Sequence, residues 1–372
     1  MKKTGVECIS VQPSSFLTIR QTEGKVAAVK QSRKPVLEND IVKYTFDKNG
    51  QLISAIDKRD GREILSAPGN VLSLYYDHPN NWEAWDVDMF YPRDFKEHPK
   101  CVKIDQAICG PAQCSMKFTY KTECSTIEQT VVLRPNSTRL DFVTHVDWHE
   151  QRVMMRTAFP VAIYSDFATF DIQYAFVKRP THDNTSWEEA KFETCGQRYA
   201  DLSQDDYGVA LLNDCKYGYR VKGNVLDLNL LRSPKNPDYN ADQGEHTFIY
   251  SFFPHAGNHL EGCVPDEAAV LNRDPYLAEG YTNDKAEPPC TVESDSVNLE
   301  VVKKAEKDDS TILRLVETAG KHATAVLKLA NPKAKVSVTN LIEWEKGKSL
   351  PVKNGTVQLQ LKPFEILTLR LV

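Results

Sequence analysis

The chain has 372 residues, of which 41% are hydrophobic and 26% charged, and its formal net charge is −5 at pH 7. This size allows one large domain or two smaller domains, each with a core. The acidic balance and the lack of a basic cluster argue against nucleic acid as a partner. No apolar run approaches the roughly 20 residues needed to span a bilayer. We therefore expect a globular protein without a nucleic-acid or membrane partner.

Strand patterns dominate the chain. After a short apolar strand at 15–19, two apolar runs at 42–46 and 52–56 flank Asp-Lys-Asn-Gly, which is a strong hairpin signal. Alternation of apolar and polar residues marks further strands at 140–148 and 356–372. Only short helical turns are expected, near 187–192 and 265–271. The pattern predicts an all-β fold, built as sandwiches.

The nine cysteines are scattered, odd in number and without a C-x-x-C pair. In a chain of this length, we expect most of them to be buried small hydrophobic residues and not disulfide partners. The sequence therefore favours a reducing compartment, the cytoplasm, with the vacuole or lysosome as alternatives.

One segment is more specific than these patterns. Residues 230–255, LLRSPKNPDYNADQGEHTFIYSFFPH, place an arginine, carboxylates and a histidine between two apolar runs. This order resembles the "LLRSP…D…D.GEH.F.Y…PH" signature in the carboxyl-terminal half of glycoside hydrolase family 38, the retaining α-mannosidases. Collinear resemblances follow at 37–65, 80–91 (NNWEAWDVDMFY), 179–219, 301–317 and 361–372, with departures from the family pattern at Gln197 and Gln204.

The resemblance implies a galactose-mutarotase-like supersandwich followed by a small β-sandwich. It divides the chain into a residual strand and linker at 1–34, the supersandwich at 35–263, a connection at 264–290 and the terminal sandwich at 291–372. In the family, a carboxylate nucleophile, a second carboxyl and a zinc ion held by histidine and aspartate belong to an amino-terminal domain. The resemblance therefore implies a fragment without catalytic residues, metal site or cofactor of its own, whose partners are that catalytic half and a mannose-containing oligosaccharide. A homo-oligomer is a further expectation.

Arg232 is the first candidate for substrate binding. A guanidinium is a rigid fork of donors that suits sugar hydroxyls or a neighbouring carboxylate. In the family, the β domain reaches into the active-site cleft, so Arg232 is expected to contact the sugar there. The alternative is a surface ion pair with Asp238, Asp242 or Glu245.

Trp85, Asp86 and Asp88 form the second candidate for substrate binding, which Trp82 and Tyr91 would extend. Aromatic faces stack on pyranose rings, and carboxylates accept hydrogen bonds from sugar hydroxyls. The alternative is a loop held by its own aromatic residues.

Asp242, Glu245 and His246 are expected either to orient Arg232 from behind or to serve as turn residues around Gly244. His145, Asp147 and His149 have the alternate spacing that allows a zinc site on a strand, but an ordinary strand is the preferred interpretation. His255 and His259 are expected to be loop residues.

Two other functions stay open. One is a stand-alone carbohydrate-binding module that uses the same aromatic and carboxylate surface without catalysis. The other is an aldose epimerase, for which Glu245 and His246 are the residue types of an acid–base pair. Because neighbours on a strand point to opposite faces, that pair would not converge on one substrate.

Overall fold

The computed structural model describes residues 30–276 and 288–372. The strand expected at 15–19 lies outside these residues. The chain divides into two compact units, of which the first contains 30–172 and 176–274 and the second contains 288–372 with 173–175 and 275–276. The division into the four segments 1–34, 35–263, 264–290 and 291–372 stays a prediction.

The described residues form 29 strands and two short α-helices. In chain order these are β1 (Lys30–Ser32), β2 (Val36–Glu38), β3 (Val42–Phe46), β4 (Leu52–Asp57), β5 (Arg62–Glu63), β6 (Val71–Tyr76), β7 (Phe95–Glu97), β8 (Lys100–Ile104), β9 (Ala107–Cys109), β10 (Cys114–Lys121), β11 (Thr126–Leu133), β12 (Leu140–Trp148), β13 (Val153–Pro160), β14 (Phe167–Ile172), β15 (Ala175–Pro180), α1 (Ser186–Glu189), β16 (Thr194–Cys195), β17 (Tyr199–Ser203), β18 (Tyr207–Asn213), β19 (Gly218–Lys222), β20 (Val225–Leu231), β21 (Gly244–Ala256), α2 (Val264–Asn272), β22 (Cys290–Glu293), β23 (Val297–Lys304), β24 (Thr311–Glu317), β25 (Ala323–Leu329), β26 (Val336–Thr339), β27 (Lys346–Leu350), β28 (Thr356–Leu361) and β29 (Ile366–Leu371), with a 3-10 turn at Tyr91–Arg93. Among these described residues, no helix is long and apolar enough to cross a membrane.

The first unit is built on two large antiparallel sheets. The larger follows the order β1-β9-β10-β11-β12-β21-β18-β17-β14-β15, with β8 paired to β10, and the other follows β16-β19-β20-β13-β6-β7. A smaller sheet, β2-β3-β4-β5, joins the same hydrophobic core. The predicted all-β fold class, with its supersandwich and small β-sandwich, is confirmed.

The core of the first unit lies where aromatic side chains of the two large sheets meet. Within the larger sheet, the ring of Phe142 on β12 stacks on Tyr250 of β21 with centroids 5.0 Å apart; between the two sheets, Phe159 of β13 packs on Phe252 at 5.2 Å. The predicted alternation from Leu140 to Trp148 is confirmed as β12, with both end residues fully buried. Apolar burial on this scale is the main stabilising term of such a fold.

The hairpin predicted around Asn-Gly is confirmed as β3 and β4. The Asp47 carboxylate accepts hydrogen bonds from the backbone N–H groups of Asn49 at 2.8 Å and Gln51 at 2.9 Å, and Gly50 takes φ +76°. Glycine takes this left-handed conformation without the steric cost of a side chain. The local sequence therefore sets this turn. The two predicted helical turns are also present, as α1 and α2.

The second unit contains the sheets β22-β25-β28 and β23-β24-β29-β26-β27. Their buried side chains form one core that includes Leu313, Leu315, Leu327, Leu359 and Leu369. The alternation predicted at 356–372 is confirmed as β28 and β29, which are separated at Pro363. Proline cannot donate to a ladder, so the strand pattern breaks there.

The expectation for the cysteines is wrong for most of those described. Cys109 and Cys114, which face each other across β9 and β10, form a disulfide. Of the six free cysteines described, only Cys290 is buried, and burial raises the pKa of its thiol to about 11. Sequence spacing does not reveal this pairing, because it depends on the register of two strands.

Candidate functional site

Arg232 and Asp77 meet at one edge of the β16–β7 sheet. Both β6 and β20 run antiparallel to β13, so their carboxyl-terminal ends lie side by side near Val153, the first residue of β13. Asp77 follows β6 directly, and Arg232 follows β20 directly. The Arg232 Nε donates to Asp77 Oδ2 at 2.6 Å. Sheet topology thus joins residues that are 155 positions apart in sequence.

The Arg232–Asp77 ion pair is shielded from water. The side chain of Asp77 is 2% exposed and that of Arg232 is 17% exposed. Arg232 Nη2 also donates to the backbone carbonyls of Glu83 at 3.0 Å and Asp86 at 2.7 Å. The surface partners considered above, Asp238, Asp242 and Glu245, are therefore replaced by a buried partner that the sequence pattern did not indicate.

The residues 77–94 between β6 and β7, here called the tryptophan loop, are fixed at their base. Glu83 Oε1 accepts hydrogen bonds from Arg152 Nε at 3.0 Å and Nη2 at 2.8 Å, and its Oε2 accepts the Lys235 N–H at 2.8 Å. The Arg152 guanidinium and then the Lys235 amide lower the pKa of Glu83. Together with Arg232, these contacts hold the loop through the Glu83 carboxylate and through the backbone carbonyls of Glu83 and Asp86.

The tip of the tryptophan loop presents two indole rings to solvent. Trp82 is 71% exposed and Trp85 is 72% exposed, and their centroids lie 6.4 Å apart at an angle of 73°. The Trp82 carbonyl accepts hydrogen bonds from the N–H groups of Trp85 at 2.8 Å and Asp86 at 2.9 Å. A tight turn thus holds both rings, and such exposed, ordered aromatic faces are suited to stacking on a ligand.

Asp86 and Asp88 stabilise the same loop. Asp86 Oδ1 accepts the N–H of Val87 at 2.9 Å, and Asp88 Oδ1 accepts that of Phe90 at 2.7 Å. Asp86 is exposed and Asp88 is half-buried. The structure therefore places the Asp86 backbone against Arg232, with Trp85 preceding it and Asp88 following it in the loop.

Asp242, Glu245 and His246 lie at the turn into β21. Asp242 takes φ +58°, and its carbonyl oxygen lies 2.9 Å from His246 Nε2. Glu245 is exposed and pairs in register with Asp147. The structure gives Arg232 its hydrogen-bond partners from the tryptophan loop, so the orienting role expected of these three residues stays a prediction.

The histidines considered for a metal site are otherwise engaged. His149 Nε2 lies 2.7 Å from Asp147 Oδ1, and His145 Nδ1 lies 3.1 Å from Thr247 Oγ1. Within residues 30–276 and 288–372, no group of three or more histidine, cysteine, aspartate or glutamate residues is placed to hold a metal ion.

The prediction that His255 and His259 are loop residues is wrong for His255 and holds for His259, which lies in the turn after β21. His255 lies within β21, and its Nε2 is 2.8 Å from Asp201 Oδ2 in a pair that is almost fully buried. Ser203 donates to the other Asp201 oxygen at 2.6 Å. His259 follows β21 but is buried against the Phe176 ring, and burial lowers its pKa. These groups are inaccessible to a ligand and brace the interior.

Sequence reasoning missed a second charged cluster beneath the tryptophan loop. Arg156 of β13 is fully buried, its Nε donates to Asp227 at 2.7 Å, and its Nη1 lies 3.1 Å from Glu193. Tyr91, within the tryptophan loop, donates its hydroxyl to Glu193 at 2.7 Å. Burial, partly offset by Arg156, raises the pKa of Glu193. The available signal was a lone arginine inside the apolar run VMMRTAF.

Two family models match the chain. The model for "Glycosyl hydrolases family 38 C-terminal domain" matches residues 37–240, and that for "Glycosyl hydrolases family 38 C-terminal beta sandwich domain" matches residues 296–369. The chain belongs to glycosyl hydrolase family 38. Its matched residues include the tryptophan loop and Arg232, so both candidate features lie within the family's C-terminal domain.

Curated proteins similar to this family 38 chain are α-mannosidases by name. Alpha-mannosidase 2C1 of Mus musculus is 35% identical over 381 residues, which cover 98% of this chain and 35% of the relative. Alpha-mannosidase G of Dictyostelium discoideum is 34% identical over 297 residues, which cover 75% and 27%. The chain thus spans about a third of the length of these relatives.

The fold is also similar to that of a solved structure, an α-mannosidase from Enterococcus faecalis V583. The TM-score is 0.75 with 18% sequence identity, and the match covers 94% of this chain and 43% of that one. At this identity the likeness supports the fold of the family 38 chain and nothing further.

Proposed function

We propose that this chain is the carboxyl-terminal part of a retaining α-mannosidase that removes terminal α-mannosides in glycan catabolism. The observation that carries the proposal is the tryptophan loop, held by Arg232 within a region that matches the family's C-terminal domain. The relatives' names supply the substrate class, and about two thirds of the relatives' length lies outside the match. The nucleophile, the acid–base carboxyl and the zinc site would belong to that remaining part.

In this proposal the chain braces the catalytic half and lends side chains to its cleft. Nε and Nη2 of Arg232 hold Asp77 and the loop, and among the described residues Nη1 makes no hydrogen bond. Nη1 would donate to a sugar hydroxyl, since a guanidinium presents several donors in fixed directions. Trp85 would stack on the pyranose ring, and Asp86 Oδ2 would accept a hydrogen bond from a sugar hydroxyl.

A direct test is hydrolysis of 4-nitrophenyl α-mannoside by the isolated chain and by the enzyme purified from its native cells. We expect turnover by the native enzyme only. Turnover by the isolated chain, or none by the native enzyme, would refute the proposed division of labour. The protein recovered from cells should also contain polypeptide beyond the 42.1 kDa of this chain.

Stand-alone carbohydrate binding is a second candidate, favoured by the two exposed indoles of the tryptophan loop. If the isolated chain has this function, mannose should perturb the resonances of Trp82 and Trp85. The Trp85→Ala variant should weaken binding by about 1–3 kcal/mol, as stacking losses typically do. Trp187→Ala is the matched control, because Trp187 is 77% exposed but lies on α1. Equal effects of both variants would exclude the loop as the sugar site.

We also propose that the protein is cytoplasmic and that it forms a homo-oligomer. Cys124, Cys195, Cys215 and Cys263 are exposed and free. Exposed thiols of this kind oxidise readily in secretory compartments, so these four favour a reducing location and outnumber the single Cys109–Cys114 disulfide, which favours an oxidising one. Cell fractionation and light scattering would test the two points. Recovery in a secretory fraction would contradict the cytoplasmic location, and a particle mass equal to one copy of the polypeptide would contradict a homo-oligomer.

A further inference from the structure

The loop between β26 and β27 in the second unit exposes an apolar tip, formed by Leu341, Ile342 and Trp344. Their exposed fractions are 54%, 58% and 63%. Single exposed apolar residues are ordinary, but three large ones within four positions form a patch. None of these three residues is part of the candidate site formed by the tryptophan loop and Arg232.

The apolar tip is held in one conformation by its own backbone contacts. Asn340 Oδ1 accepts the Trp344 N–H at 3.0 Å, and the Asn340 carbonyl accepts the Glu343 N–H at 2.9 Å. The Thr339 hydroxyl donates to the Glu345 carbonyl at 2.7 Å and closes the loop. The exposed side chains therefore sit on an ordered turn.

Glu343, between the exposed Ile342 and Trp344, is buried, although a charged loop residue is usually exposed. It is only 4% exposed and takes φ +64°. Its Oε1 accepts Lys303 Nζ at 2.8 Å and lies 3.4 Å from Arg314 Nη2, and its Oε2 accepts the Glu306 N–H at 3.1 Å. The hydrogen bond from Lys303 is the main cause of a lowered pKa for Glu343. The charged side chain points inward while its apolar neighbours point into water.

Two further arginine contacts fix the backbone of the apolar tip. Arg314 Nη2 donates to the Leu341 carbonyl at 2.7 Å, and Arg370 Nη2 donates to the Glu343 carbonyl at 2.7 Å. A loop optimised for water would bury its leucine, isoleucine and tryptophan and expose its glutamate. A rigid display of the opposite kind is characteristic of an interface anchor, because little conformational entropy is lost on binding.

We propose that the apolar tip is a docking anchor for the part of the α-mannosidase polypeptide that this chain does not span. This inference rests on the proposed function. The chain aligns over 98% of its length with only 35% of alpha-mannosidase 2C1, so a large protein surface is available as the partner. The partner would offer an apolar recess with an acidic group facing Lys307, whose Nζ lies 4.1 Å from the Trp344 ring centroid.

Self-association through the apolar tip is less favourable. The adjacent β27 ends its sheet in the described chain and carries the exposed Lys348. Lysines on an edge strand oppose its pairing with a second copy, because two such edges repel each other. The same charge favours a partner with acidic groups.

Hydroxyl-radical footprinting tests the docking anchor on the protein as it exists. Trp344 oxidation would be compared between the isolated chain and the protein purified from native cells, with Trp187 as a second exposed indole. We expect Trp344 oxidation to fall about tenfold in the native protein, as for a fully desolvated anchor. Unchanged oxidation of Trp344, or protection in a particle that contains only copies of this chain, would overturn the proposal.

A variant makes the test specific. This chain and the remaining part of the polypeptide would be expressed as two separate pieces. In this chain, Ile342→Ser with Trp344→Ser should weaken association of the two pieces about 30-fold or more. The Trp187→Ala control should leave association unchanged, and circular dichroism should show both variants folded. Association that survives the double variant would overturn the proposal. Mannoside hydrolysis is measured separately: if the unmodified protein shows tip-dependent association but no hydrolysis, only the proposed function is refuted.

Discussion

The Arg232–Asp77 pair gives the most quantitative prediction. Asp77 is 2% exposed, and its ion pair with Arg232 is made at 2.6 Å. Arg232→Ala would leave this carboxylate buried without its cation. Removing one member of a buried pair costs about 3–5 kcal/mol, and losing the hydrogen bonds to Glu83 and Asp86 acts in the same direction. We expect the free energy of unfolding of the first unit to fall by about 4 kcal/mol.

The double variant separates the ion pair from the other contacts of Arg232. Asp77→Asn removes the charge but retains an acceptor for Arg232 Nε, so it should cost about 1–2 kcal/mol alone. In the Arg232→Ala background the same change should be neutral or stabilising, because it removes the unpaired charge. The interaction energy between the two positions should therefore reach about 2 kcal/mol, within the range for residues in contact.

Urea unfolding followed by tryptophan fluorescence measures these energies. Trp148 is fully buried in the core of the first unit and reports its unfolding, while circular dichroism follows the whole chain. Lys117→Ala is the control, because Lys117 and Glu128 form an exposed pair that should contribute about 0–1 kcal/mol. If Arg232→Ala costs no more than Lys117→Ala, or if the double variant is simply additive, the assigned role of the ion pair is refuted.

Two further predictions concern the scaffold. Glu317 is fully buried. Burial opposes its ionisation, but hydrogen bonds led by the Phe364 N–H lower its pKa. The ionised carboxylate therefore stabilises the second unit at neutral pH, and this contribution is lost as pH falls below the ordinary glutamate pKa. Glu317→Gln should cost the second unit about 3 kcal/mol at pH 7 and much less at acid pH in urea titrations, and a cost independent of pH would contradict this. Gly262→Ala should destabilise the first unit by about 3 kcal/mol, because its Cβ would lie 2.1 Å from Nδ1 of buried His255. Gly61→Ala is the control, because Gly61 has φ +77° and a Cβ added there would have nothing within 4 Å. Thermal unfolding should give a cost of about 1–2 kcal/mol for Gly61→Ala, and equal costs for the two variants would show that the steric argument fails.

The local sequence determined the strands, the first hairpin and the fold class. Alternation from Leu140 to Trp148 predicted β12, and Asn-Gly predicted the turn after β3, because a strand exposes alternate faces and the turn depends on adjacent residues alone. The order of residues around Arg232 also indicated the family that the family models then matched. These features need no knowledge of distant contacts.

Tertiary structure alone decided the partners of the site residues. The ion pair considered for Arg232 as the alternative to sugar binding was with surface acids near it in sequence, yet its carboxylate partner is Asp77, because β6 and β20 both pair with β13 and end at the same edge. His255 was expected in a loop but is buried beside Asp201, since β21 continues through Pro254. A strand pattern states which face is apolar; it does not state which strands are neighbours. Long-range register, which no local pattern encodes, therefore determined the ion pairs, the disulfide and the fixed position of the tryptophan loop.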